Sequence, residues 1–225
     1  MTQRSDIIGH DEVYQPDGSI RKYGLIYTEK CGWIDLGHAN PAGAAQLWRQ
    51  VESRTRFVGA VDELRPVTDI IYSQSMKRSI VTVSETRRYS VHTRLPSRAI
   101  QEGIALAIFM DVSMAFEGLQ SNWFFRHVSD SGFSTEDLVS NLIGFYRALR
   151  PGDDFIKLCQ PVPKQQALDT WDTYGAVGSH KNKTFNPIFF PNPAIQKGKP
   201  TPGKLPPELN EIKPAIAGKY FWQVQ

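Results

Sequence analysis

Cysteine is scarce: Cys31 and Cys159 are the only two in 225 residues. That excludes a disulfide-dense scaffold and leaves either one bridge or two free thiols. No Cys-x-x-Cys pair, His-Glu-x-x-His motif or EF-hand loop is present, so no ready-made metal motif can be read off the chain. P-loop and dinucleotide-binding glycine patterns are missing too, which leaves nucleotide binding unsupported. Long apolar runs are few. The longest, Gly103 to Phe116, is short for a bilayer and carries Asp111, so no transmembrane segment is expected. The first residues are polar and mixed in charge, unlike a signal peptide. The cytoplasm is therefore the default expectation, with signal-less export or an envelope role left open. An excess of one charge is also lacking: 26 basic against 23 acidic residues give +3, too little to imply nucleic acid as a partner.

What is present suits one globular domain. The chain is 40% hydrophobic and 22% charged, enough apolar matter for a core and too much for disorder. Eleven of the 15 prolines fall after residue 150, where all nine basic residues are lysine. Proline neither continues a helix nor donates in a ladder, so this part should be extended and irregular. Its aromatics, among them Phe189, Phe190, Phe221 and Trp222, need burial. The expectation is an α+β domain over residues 1–180: a mixed or antiparallel sheet on a buried central helix. A Pro/Lys-rich strap over 181–225 is expected to pack on the domain or on a partner protein.

Local patterns fill in that outline. Gly24–Thr28 and Trp33–Leu36 read as strands around a Glu29-Lys30 turn. Asn40-Pro41 starts a helix in which Ala44, Leu47, Trp48 and Val51 share one face, ending near Arg54. Ile80–Val83 and Tyr89–Thr93 read as the two arms of a hairpin. Pro96-Ser97 opens a helix that is apolar nearly all round, the signature of a central one. Ser134-Thr135-Glu136-Asp137 reads as the start of another, with an acid three residues after the cap. Its stripe Leu138, Leu142, Phe145, Leu149 ends at Pro151-Gly152. Gly144 in mid-helix implies a close contact, expected with the central helix.

Two places invite chemistry. Asp111 and Glu117 sit in the apolar central helix, where a carboxylate must be paired, hydrogen-bonded or bound to metal. His38 lies just before a helix start, where neutral imidazole, fit for a general base or metal ligand, is favoured. Asp35, three residues earlier, is expected to orient it. His38 and Glu117 are thus candidate ligands of a divalent metal, Zn by first choice, with His92 or His127 as a third. Ser140, Asn141 and Trp33 are candidate substrate-binding residues. Cys31 precedes a strand instead of a helix, a poor place to activate a thiolate.

The ordered set Tyr27-Thr28, Gly32-Trp33-Ile34-Asp35-Leu36-Gly37-His38, Phe116-Glu117 and Phe133-Ser134-x-Glu136-Asp137-Leu138-x-Ser140-Asn141-x-x-Gly144 resembles a family of uncharacterised bacterial proteins, many described as lipoproteins of unknown function. The resemblance covers residues 24–146, brings no activity with it, and implies an envelope setting. The leading expectation is a hydrolase acting on an amide or peptide-like bond through His38, Asp35 and Glu117. Its rival is a non-catalytic binding or assembly protein whose polar network is structural and whose strap docks on a partner.

Overall fold

The computed structural model describes residues 2–58, 66–78, 81–123, 133–196 and 198–224. The fold is α+β, with small sheets packed against helices. Strands β1 (Leu25–Thr28) and β2 (Gly32–Asp35) form an antiparallel hairpin in which Tyr27 faces Trp33 across the ladder. Helix α1 (Ala42–Arg54) follows, and Asn40 Oδ1 accepts the Ala42 N–H at its start. Its buried face is Ala44, Leu47, Trp48 and Val51, as the spacing requires.

Two long strands come next, after β3 (Arg56–Phe57). They are β4 (Val67–Arg78) and β5 (Val81–His92), paired antiparallel along their whole length. The expected hairpin between 80–83 and 89–93 is corrected here: residues 81–83 and 89–92 both lie on β5 itself, and Ile80 lies outside the described residues. The polar stretch Glu85–Arg88 between them reads as a turn in isolation, but its alternating side chains suit a half-solvated strand. The arginines there are engaged. Arg87 binds Glu85 and Asp111, and Arg88 binds Asp69.

After β6 (Arg94–Leu95), which pairs with β3, helix α2 runs from Arg98 to Trp123. Ser97 Oγ accepts the Ile100 N–H and caps it. Ile104, Ala105, Ile108, Phe109, Val112 and Phe116 are all buried, so the helix is central, as its composition implies. By length and composition it could span a bilayer, yet 61% of its most apolar window is buried inside this fold. Asp111 is paired, one of the outcomes expected of a carboxylate on this helix, but it is less buried than expected: its side chain is 44% exposed and takes hydrogen bonds from Arg87 and Tyr89. It serves the helix–sheet contact.

Helix α3 (Asp137–Leu149) packs against α1, α2 and β2, and its apolar stripe is buried. Gly144 explains part of that packing. A Cβ there would stand 3.1 Å from the carbonyl oxygens of both His38 and Asn40. The close neighbour is thus the segment that carries His38, not the central helix as expected. Arg147 reinforces the approach by donating to the Ala39 carbonyl at 2.6 Å.

Two short helices follow, α4 (Phe155–Leu158) and α5 (Lys164–Tyr174). The remainder runs along the domain with β7 (Ile188–Phe189), β8 (Thr201–Pro202) and β9 (Phe221–Val224). Strand β9 adds to the free edge of β5, giving the sheet order β4-β5-β9. Phe190, Leu209, Ile212 and Phe221 are its buried anchors. Tyr27 ties down Phe190 by accepting its N–H and donating to its carbonyl, both at 2.8 Å. Gly32 marks the same contact: it has φ +64, and a Cβ there would run into the Ile188 carbonyl oxygen. Gly32→Ala is expected to cost on the order of 3 kcal/mol, from the left-handed backbone and the overlap together, read as a lower urea midpoint at unchanged slope.

Candidate functional site

His38 is positioned by the turn that leaves β2. Asp35 Oδ1 accepts the Gly37 N–H at 2.6 Å and the His38 N–H at 3.4 Å. Asp35 thus fixes the backbone of the turn, whereas orientation of the imidazole was expected of it. The carboxylate beside the ring is Asp137, whose Oδ1 lies 3.4 Å from His38 Nδ1. That approach lacks the alignment of a hydrogen bond, and Nδ1 has no other partner among the described residues.

Asp137 opens α3. Its Oδ2 accepts the Ser134 N–H at 2.7 Å, the reverse half of a capping box. The helix itself begins at Asp137, three residues later than expected, because Ser134–Glu136 form a turn ahead of it. Glu117 comes in from α2, fully buried. Its Oε2 accepts the Phe133 N–H at 3.1 Å, and its Oε1 has no hydrogen-bond partner among the described residues. Phe133 is held at φ +56, a left-handed conformation that side chains of its size avoid. Strain of that kind is kept where the surroundings over-determine it, and here it aims a backbone N–H at a buried carboxylate.

One ligand atom each from His38, Glu117 and Asp137 lies within 4.8 Å of the other two. Three groups from three separate elements therefore converge, with an unpartnered carboxylate oxygen among them. Electrostatics make the cluster costly when empty of cations. Burial pushes the Glu117 carboxyl above its ordinary range. Asp137 is pushed well above its own by burial and then by its carboxylate neighbours Glu136 and Glu117. Burial raises Glu136 to about 7. Two buried acids, Glu117 and Asp137, and the His38 imidazole make a candidate donor set for a divalent cation of borderline or hard character such as Zn, Mn or Fe, with Glu136 a further buried acid beside them.

The cluster borders a cavity of about 670 Å³, within the range that holds small ligands. His38 and Asp137 line it, with Asp35, Glu136 and Gln120 nearby. The turn Ala176–Ser179 and the N-terminal residues Thr2, Ser5 and Asp6 form its other walls. No lysine or arginine is among the described lining residues. Glu136 is 1% exposed; its Oε1 accepts from Thr2, and its Oε2 has no hydrogen-bond partner among the described residues. Gln120 Nε2 is likewise a buried donor without a hydrogen-bond partner there. Gln120 stands three residues after Glu117, on the same face of α2.

Other expected residues lie elsewhere. Trp33 is 2% exposed in an aromatic cluster with Tyr27 and Trp171. Ser140 Oγ accepts the Asp35 N–H at 2.9 Å and donates to the Glu136 carbonyl at 2.7 Å, joining β2 to α3. Asn141 sits on α3, and neither it, Ser140 nor Trp33 lines the cavity. His92 is on β5 with its ring against Trp222, outside the cluster. His127 lies outside the described residues. Asp137, Glu136 and Gln120 are the site residues that sequence reasoning left unassigned. The signal for the first two was present: two adjacent acids at a helix start, one of which turns inward. No family model, curated protein or solved structure matches the chain.

Proposed function

We propose that this chain is a metal-assisted hydrolase acting on an amide or peptide-like bond. The observation that carries the proposal is the convergence of His38, Glu117 and Asp137 on one point beside a cavity that His38 and Asp137 line, with a buried Glu117 oxygen that has no hydrogen-bond partner among the described residues. His38, Glu117 and Asp137 would hold a divalent cation, which when bound would supply an acidified water and polarise a substrate carbonyl. The chain's own residues supply the rest. Glu136 Oε2 takes the proton from the attacking water and returns it to the departing amine nitrogen as the C–N bond breaks. Gln120 Nε2 donates to the carbonyl oxygen as negative charge grows on it. Asp35 is a positioning residue, holding the turn that presents His38. The carboxylates of Asp6, Asp35, Glu136 and Asp137 on the cavity wall favour neutral or cationic substrates over anionic ones.

The rival reading is an assembly protein with a docking strap; four of the strap's apolar residues, Phe190, Leu209, Ile212 and Phe221, are buried in its own domain, whereas Ile195, Ile216 and Trp222 are exposed. The deciding experiment is elemental analysis of untagged protein purified without chelator, beside a His38→Ala/Glu117→Gln double variant. Near-stoichiometric Zn, Mn or Fe in the parent alone is expected, with release of amine from chromogenic amides that chelator stops. Metal-free parent protein that cannot be loaded by added Zn or Mn overturns the metal centre. Amide release unaffected by chelator overturns its catalytic use.

A further inference from the structure

The two cysteines lie 128 positions apart in sequence, yet their Sγ atoms are only 2.6 Å apart. Unbonded sulfurs touch at roughly 3.6 Å, the distance at which such contacts become attractive instead of repulsive. Both residues are buried, at 1% and 0% exposure. The backbones are brought together independently of the thiols. Lys30 donates to the Cys159 carbonyl at 3.1 Å, Glu29 to Gln160 at 3.0 Å, and Val162 to Tyr27 at 3.0 Å. Thr28 Oγ1 accepts the Cys31 N–H at 3.1 Å and donates to the Gly32 carbonyl at 2.8 Å, fixing the turn from the other side. The segment after α4 is thereby pinned along the β1–β2 turn, and the cysteine side chains meet between them.

We infer that Cys31 and Cys159 form a disulfide that locks the β1–β2 hairpin to the segment after α4. The oxidant is a disulfide-bearing exchange partner, such as oxidised glutathione or a thiol–disulfide oxidoreductase. In the unfolded or partly open chain, one cysteine thiolate attacks a sulfur of that disulfide, making a mixed disulfide and releasing one thiol. The second thiolate then attacks the mixed disulfide, so that the Cys31–Cys159 bond forms and the second thiol leaves. Two cysteine thiols lose two protons and two electrons, and the oxidant's disulfide is reduced to two thiols. Exchange must precede closure of the fold, because the folded site admits no reagent to either sulfur. Burial also pushes the Cys159 thiol well above its ordinary range, which keeps it from acting as a nucleophile once folded.

The bridge has a consequence for the candidate site without depending on it. The hairpin it braces is the one whose second strand ends in the Asp35–His38 turn. A cross-link closing so long a loop restricts the unfolded chain strongly, and it also sets the compartment the protein tolerates, since a reducing cytosol would leave it open.

The test is refolding of the full chain in a glutathione redox buffer, followed by denaturation and thiol alkylation with N-ethylmaleimide. Absence of alkylated cysteine before reduction, and two alkylated cysteines after it, are expected. Reduction of the oxidised protein should lower Tm by on the order of 10 °C. Cys31→Ser and Cys159→Ser proteins should melt alike whether reductant is present or not. Two alkylated cysteines in the oxidatively refolded parent overturn the inference. So does an unreduced parent whose single modified peptide carries glutathione on either cysteine.

Discussion

Asp137→Asn should make the metal-free protein more stable while removing its capacity to hold a cation. Asp137 is buried at the N-terminus of α3 among Glu117, Glu136 and His38. Its charged form is disfavoured there, first by desolvation and then by its carboxylate neighbours. Asparagine has nearly the same shape and keeps an oxygen to accept the Ser134 N–H, now held at 2.7 Å. The substitution therefore deletes charge and little else. The gain should be on the order of 1–3 kcal/mol, read by urea unfolding in chelator. Zn affinity should fall more than about 100-fold, beyond what loss of an outer partner of a ligand produces. Glu117→Gln should behave with the same signs, because glutamine still accepts from Phe133. A purely structural network predicts the reverse. There each carboxylate would be retained for the hydrogen bonds its charge strengthens, and neutralising it would cost stability. Loss of stability in chelator, together with unchanged Zn affinity, would refute the metal centre.

The fold was legible where one local rule decided the outcome. The α1 stripe, the apolar circumference of α2 and the β1–β2 turn follow from periodicity and turn chemistry alone. Misreadings came where two rules competed. Glu85–Arg88 looks like a polar turn, but on β5 those residues alternate between a helix-facing side and solvent, so a single strand absorbs them. Gly144 advertised a close contact without naming the neighbour, because a small residue in a helix says that something approaches and not what. Asp111 and Glu117 were equivalent in sequence, two acids in one apolar helix. Six residues of separation put them on different faces and at different ends of the packing. Asp111 meets Arg87 and Tyr89 at the sheet, and Glu117 meets His38 and Asp137 behind the cavity that those two line.

The site was half legible for a related reason. His38 could be named because it lies just before a helix start, and Glu117 because a carboxylate in an apolar helix is locally anomalous. Asp137 could not, because an acid at a helix start already has a sufficient local explanation in the helix dipole. Gln120 gave still less signal, since glutamine is at home on any helix. Ser140 shows the opposite error. A serine inside a helix looked available for a ligand, yet its hydroxyl joins the Asp35 N–H to the Glu136 carbonyl. Such a role depends on which strand runs beside the helix, a fact of topology that no window of sequence contains.

Stability of the metal-free protein should fall as pH rises from about 5 to about 7, opposite to the trend in which ionising paired carboxylates stabilises a fold. Glu136 carries the clearest case: its carboxyl has an ordinary value of 4.5 and is held at about 7 by burial. Below 4.5 both folded and unfolded chains are protonated there, and the stabilisation associated with the neutral acid is fully present. Between the two values the folded state binds more protons than the unfolded one, so stability declines with pH until the folded value is passed. That interval corresponds to on the order of 3 kcal/mol from Glu136. Glu117 and Asp137 shift in the same direction and steepen the decline. Glu102, held below its ordinary range by Arg150 and Arg98 against its own burial, works the other way, as do Asp69 beside Arg88 and Asp172 beside Arg4. Their contributions are lost as pH drops through their lowered values, so the metal-free optimum should fall near pH 5. A divalent cation reverses the slope on the alkaline side. Its ligands must be ionised, binding expels their protons, and affinity therefore climbs with pH. Melting temperatures at pH 5, 6, 7 and 8, taken in chelator and in excess Zn, should diverge progressively, the Zn-loaded curve rising as the chelated one falls. Parallel curves would place the cation outside this cluster, and a chelated curve that rises to pH 8 would mean the three carboxylates are already ionised and satisfied without it.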